Sequence, residues 1–183
     1  TPPRVTLPGQ TPSDNRVSHF LAEASGQVSK AWWLDSFWEY NPELSRSENF
    51  NVSTRYQPET GKVLNASFRY TPVPTTTLYG INPDGFRQMD ISGQWPIYGR
   101  WTGVGRWNYS ILDKTTLEGV AGLEYDGGCW AARFVMHSLT TGPNQKSNAF
   151  FVQLELNGLS GVGSNPLEVL RQNIFGYTRF SER

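Results

Sequence analysis

Residues 148–157 read NAFFVQLELN, and their side chains divide between two environments. Phe150, Val152, Leu154 and Leu156 share one parity, while Phe151, Gln153, Glu155 and Asn157 share the other. A strand sends successive side chains to opposite faces, so strict alternation predicts a strand with a different solvent on each side. The pattern recurs upstream over residues 19–28, 31–40, 50–56, 63–70, 88–95, 101–110, 116–125 and 130–139. In each copy one face lacks charge. The other collects Glu23, Asp35, Glu39, Arg55, Arg69, Asp90, Arg106, Glu118, Glu124, Arg133 and Glu155. The expectation is an all-β, antiparallel chain whose strands follow one another in sequence.

The links between these strands alternate in length. Short ones hold Ser29 and Lys30, QPETGK, WPIYGR, and the DGG before Cys129; longer ones are NPELSRSEN, residues 71–85, and TTGPNQKSN. The short link at Asp113 and Lys114 breaks the rule. Short turns at one end and long loops at the other is the habit of outer-membrane barrels.

A soluble β-sandwich with the uncharged face as its core would show the same alternation. Two details favour a barrel wall instead. Aromatics on the uncharged face sit at strand ends: Trp32, Tyr56, Trp95, Trp101, Tyr125 and Trp130 near the short turns, and Phe20, Tyr40, Phe50, Tyr70 and Tyr109 near the long loops. Strand middles on that face are small, as at Ala24, Ala66, Gly105, Gly119 and Ala121. A sandwich core needs bulk in the middle, whereas a wall in lipid carries aromatic girdles at both interfaces. Composition agrees, with only 37% hydrophobic residues but 14% aromatic ones, including seven Trp. Charges of both signs on the opposite face suit a watered lumen.

Other classes are disfavoured. A formal net charge of zero argues against a nucleic-acid partner held by a basic field. No apolar run approaches the roughly 20 residues of a transmembrane helix. No signal peptide is visible, so one was removed or the chain begins within a longer protein. His19 and His137 stand without GxSxG or metal-ligand spacing, so no catalytic residue, cofactor or metal site is expected. A barrel enzyme, a passive porin and a soluble ligand-binding barrel remain the alternatives. A porin would end at its last strand, and a small ligand-binding barrel would have an apolar interior. Beyond residue 159, Asn165, Pro166 and Glu168 fit an N-cap, a first-turn proline and a capping-box acid, predicting a short helix over 166–172 at the rim of the short turns. Cys129, the one cysteine, is either an inert turn residue or pairs outside this chain.

The segments QWPIYGRWTGVGRWNYSILD, LEGVAGLEYDGGCWAARF and FFVQLELNGLSGVGSNPLEVLRQNIFGY resemble the C-terminal part of the LptD (OstA/Imp) family of lipopolysaccharide-assembly proteins. The likeness is close over residues 87–177 and looser over 5–70. It implies a large outer-membrane β-barrel of about 26 strands, within the range known for single-chain barrels, of which this chain supplies about nine. On that basis residues 1–17 are an extracellular loop segment, 18–157 the last strands, and 158–183 a periplasmic tail. The resemblance further implies that the last strand, Phe150, Phe151, Val152, Gln153, Leu154, Glu155 and Leu156, is both assembly signal and one side of a lateral gate. Lipopolysaccharide would pass this gate into the outer leaflet. The implied partners are the LptE lipoprotein plug, the N-terminal part of LptD, the periplasmic LptA bridge, the barrel-assembly machinery and outer-membrane lipid. The same resemblance implies a disulfide from Cys129 to the N-terminal domain. Many family members carry two adjacent cysteines here, whereas Trp130 follows Cys129 in this chain, leaving one possible bridge. It gives Glu23, Asp35, Arg55, Arg69, Asp90, Arg106, Glu118, Arg133 and Glu155 the lumen, where the arginines either guide sugar phosphates or pair with nearby carboxylates.

Overall fold

The structure is a computed structural model and describes residues 19–72, 75–77, 80–82, 85–142, 145–156, 162–164 and 166–179. The segment 1–17 and the residues Asn157, Gly158 and Asn165 lie outside them. The strands are β1 (Phe20–Ser29), β2 (Trp32–Asn41), β3 (Arg46–Glu59), β4 (Lys62–Thr71), β5 (Thr75–Thr77), β6 (Gly80–Asn82), β7 (Phe86–Tyr98), β8 (Trp101–Ser110), β9 (Thr115–Asp126), β10 (Trp130–Gly142), β11 (Gln145–Leu156) and β12 (Val162–Gly163). One helix, α1 (Pro166–Asn173), follows. All nine expected strands are present. They form one antiparallel sheet with β12, in the order β1-β2-β3-β4-β7-β8-β9-β10-β11-β12, while β5 and β6 pair separately. Among the described residues the sheet is open, with β1 at one side and β12 at the other.

Register follows from alternation. A one-residue slip would exchange the two faces, so each pairing must keep like with like. Trp32 stands opposite Tyr56, Trp101 opposite Tyr125, and Phe20 opposite Tyr40. The aromatics near the short turns consequently touch across strands: Trp32 and Tyr56 at 4.9 Å between centroids, Tyr56 and Trp95 at 6.3 Å, Trp101 and Tyr125 at 4.9 Å, and Tyr125 and Trp130 at 5.2 Å. Phe20, Trp38 and Tyr40 form a row at the other end.

Two expectations about the links are corrected. NPELSRSEN is not a long loop, because β2 runs to Asn41, β3 starts at Arg46, and a four-residue turn joins them. Asn41 Oδ1 accepts from the Glu43 and Leu44 amides, at 3.0 and 3.2 Å, and so holds that turn closed. β10 and β11 likewise extend to Gly142 and Gln145 through polar sequence. Backbone pairing needs no apolar side chains, so a ladder continues past the aromatic girdle, where the apolar period that signals a strand has ended. The link 71–85 is long, but holds the β5–β6 pair.

The two faces are packed in an unexpected sense. The uncharged face is open: Phe150 is 74% exposed, Phe134 50% and Leu123 45%. The charged face holds the buried core. There Val63, Val104, Val120 and Val135 pack against Leu170 and Ile174 of the tail, with Phe151 and Tyr177 alongside. Among the described residues the apolar face carries no packed second sheet, and the buried core lies on the charged face instead.

Candidate functional site at the terminal strand

α1 forms where the sequence favours it. Pro166 occupies the first turn, where its missing N–H costs nothing, Glu168 favours the positive helix end, and Gln172 donates to Glu168 at 2.7 Å. The helix spans Pro166–Asn173, close to the predicted 166–172, but its position differs from expectation. It does not stand at the rim. It lies on the charged face, with Leu170 and Ile174 both within 1% of full burial. Burying two such side chains contributes on the order of 4 kcal/mol. The chain then turns at Gly176, whose φ of 83° a residue with a Cβ rarely adopts and whose approach to Val63 leaves little space.

The turn delivers Tyr177, Thr178 and Arg179 onto β9, β7 and β11. Gln94 of β7 exchanges two hydrogen bonds with the Thr178 backbone, each 3.0 Å. Tyr177 donates its hydroxyl proton to Glu124 of β9 at 2.5 Å, and Gln94 donates to the other oxygen at 3.0 Å. Arg133 of β10 bridges Glu124 at 3.0 Å and Glu155 of β11 at 2.6 Å, and also donates to Gln153 at 3.2 Å. Arg179 reaches the second oxygen of Glu155 at 2.8 Å. Arg133 and Glu124 are each 1% exposed. The expected watered surroundings are therefore corrected for Arg133: it lies on the charged face, but the tail seals it from solvent. Burial, and next the Glu124 charge, push the Tyr177 phenol well above its ordinary pKa, so it remains a proton donor.

A second network lies toward the strand middles. Arg106 pairs with Asp90 at 2.7 Å and Glu118 at 3.0 Å and donates to Asn173 of α1 at 2.6 Å. His137 meets Glu118 at 2.8 Å. Carboxylate pairing is thus the arrangement at Arg106 and Arg133. Arg55 instead lies over the Phe175 ring at 4.0 Å and near Trp33 at 5.6 Å. Arg69 and Asp35 join it in an open polar groove of about 410 Å³, bordered by Asn173 and Phe175. Glu23 lies on β1, away from both networks.

The terminal strand β11 is held on both sides. β10 pairs along its length, from Leu156 opposite Trp130 to Gln145 opposite Gly142. On the other side β12 pairs only Gln153 with Gly163 and Leu154 with Val162. Ser164 extends this contact, its hydroxyl accepting from the Val152 amide at 2.9 Å and donating to the Val152 carbonyl at 3.1 Å. Cys129 is an exposed free thiol in the turn before β10. The Gly127 amide donates to the Trp130 carbonyl at 2.7 Å, and the Gly128 amide to Asp126 at 2.8 Å, so the turn that presents it is closed. Sequence reasoning missed Gln94, Tyr177, Thr178 and Arg179. Their one legible signal was the set of valines, Val63, Val104, Val120 and Val135, at charged-face positions.

Comparison with known proteins fits this architecture. The family model LptD, LPS transport system D, matches residues 1–101. An LPS-assembly protein LptD of Aromatoleum aromaticum is 42% identical over 179 residues, covering 98% of this chain and 21% of the relative. That of Thiobacillus denitrificans is 41% identical over 182 residues, covering 100% of this chain and 24% of the relative. That of Chromobacterium violaceum is 37% identical over 169 residues, covering 90% of this chain and 21% of the relative. The chain spans about a fifth to a quarter of the relatives it matches. Its matching half and its near-complete alignment with these relatives agree with the girdled sheet: the chain belongs to the LptD family.

Proposed function

We propose that this chain is the closing segment of an outer-membrane β-barrel that inserts lipopolysaccharide into the outer leaflet, with β11 as one side of a lateral gate. The observation that carries this reading is the inverted sheet, with the aromatic-bordered apolar face outward and the charged face under the tail. Hydrocarbon provides no water for unpaired backbone groups, so a wall in lipid must satisfy them between strands. An antiparallel ladder with apolar side chains outward meets that demand. The membrane-interface girdle is Trp32, Tyr56, Trp95, Trp101, Tyr125 and Trp130.

The division of labour follows from the chemistry. Lipid A is apolar and must cross the wall at a seam, while the saccharide needs a polar route. The groove with Arg55, Arg69 and Asp35 supplies such a surface, and Arg106, Asp90, Glu118, Arg133 and Glu155 hold the wall and tail together. LptE would fill the lumen, LptA would deliver lipopolysaccharide to the N-terminal part of the protein, and the barrel-assembly machinery would read β11. Cys129, at the short-turn end, would face an oxidising compartment and tether the barrel to the N-terminal domain.

The test is a seam lock in the full-length protein. A crosslink from Phe150 to the barrel's first strand should abolish appearance of new lipopolysaccharide at the cell surface. Normal export by the locked protein would refute the gate. Non-reducing electrophoresis of the same protein should show a mobility shift that reductant and Cys129→Ser each remove.

A further inference from the structure

The outer edge of β11 is divided. At its short-turn end the tail satisfies it: β12 pairs opposite Gln153 and Leu154, and Ser164 caps both backbone groups of Val152. Toward Gln145 no strand pairs this edge among the described residues. Backbone groups alternate in direction along a strand, so Val152 sets the parity, and Phe150 and Asn148 direct theirs to the same side. An edge of this kind needs a partner in lipid, because each unsatisfied group costs several kcal/mol there.

We propose that the gate strand's edge is shared between two partners. The tail, through β12 and Ser164, keeps the stretch Val152, Gln153 and Leu154, and the barrel's closing strand pairs only along the remaining stretch from Phe151 toward Gln145. This deepens the gate reading and rests on it. The tail is anchored independently of β12, through Leu170 and Ile174 in the valine core and through Tyr177 and Arg179 on Glu124 and Glu155. β12 is therefore delivered to the edge by an already docked element, so little ordering entropy opposes its pairing. The closing strand cannot take the same amides and carbonyls while β12 holds them. The seam that opens is thus shorter than the strand, and parting it breaks fewer hydrogen bonds than a full ladder would demand. The lower stretch remains sealed when the upper one parts.

A photo-crosslinking residue at Leu154 or at Phe150 of the full-length protein, assembled in outer membranes, separates the two partners. Both positions are exposed on the apolar face. The expected result is an adduct from Leu154 to a tail peptide containing residues 162–164, and from Phe150 to the first strand. Ser164→Pro, which removes the hydroxyl cap, should diminish the Leu154 adduct and leave the Phe150 adduct. Adducts from Leu154 to the first strand, or tail adducts confined to unassembled precursor, would overturn the proposal. The locked-seam export assay distinguishes failure of the gate itself: export through a lock at Phe150 would remove the gate and still leave the Leu154 adduct to report the tail's place on the edge.

Discussion

The charged face is built in two ways. Over β7–β11 it carries Val104, Val120 and Val135 among its polar residues and is covered by the tail, with Glu124 and Arg133 sealed beneath. Toward β2–β4 it carries Asp35, Ser53, Arg55, Asn65 and Arg69, which line an open groove that Asp90 of β7 and Arg106 of β8 border. One alternation produced both, so parity assigns a side chain to a face without stating what covers that face. Val104, Val120 and Val135 mark where the tail packs and Val63 of β4 its border, while the polar positions beyond them line the groove.

Arginine substitutions should sharpen this contrast most. Arg133→Ala leaves Glu124 sealed without its cation, and breaking such a buried pair costs about 3–5 kcal/mol, while Glu155 keeps Arg179. Arg55→Ala removes a ring contact at the groove and should cost no more than about 1 kcal/mol. Urea unfolding of the full-length barrel in detergent, followed by heat-modifiable gel mobility, measures both. Equal losses would mean that the two halves are not differently built.

A smaller effect is expected from the core beneath the helix. Leu170→Ala should cost about 2–4 kcal/mol and release the tail, seen as faster amide exchange over residues 166–179 with the strands still protected. Ser53→Ala in the groove should change stability by less than about 0.5 kcal/mol. Loss of strand protection in L170A would show that the tail supports the wall rather than merely resting on it.

The smallest difference concerns pH. Tyr177 has its pKa raised in the folded state, so the docked tail binds that proton more tightly than the free tail does. Its contribution is complete below the ordinary tyrosine pKa of about 10 and declines as pH rises through and beyond it. Tail docking, followed by proteolysis of residues 166–179, should be insensitive to this group at neutral pH and weaken above about pH 10. Y177F should remove that alkaline component while keeping the ring's packing.

Much of the wall could be read from the chain because its causes are local. Trp32 with Tyr56 and Trp101 with Tyr125 announce both the girdle and the register, since a strand fixes parity and a girdle fixes depth. The extensions of β3, β10 and β11 were not legible, because the polar residues beyond the aromatic rows carry no apolar period. The tail's helix was legible from Pro166 and Glu168, but its seat was not. That seat depends on Gln94, Glu124 and Val63, residues far away in sequence. β12 was illegible because two residues carry no period, and its edge contact is made by backbone and by a single serine hydroxyl.

Each long strand pairs with its neighbours in sequence once the β5–β6 excursion is set aside, so the wall can grow hairpin by hairpin. The tail obeys a different timetable. Asn65 donates to the Phe175 carbonyl across 110 residues of chain, and Gln94 and Glu124 await partners 84 and 53 residues later. Contacts that close such long loops come late, because their entropy cost is met only after the nearer pairings have formed. The docked tail is therefore a record of completed construction: it finds all its partners only when β4 and β7–β11 stand in register, and a wall with one strand misplaced would leave it without a seat.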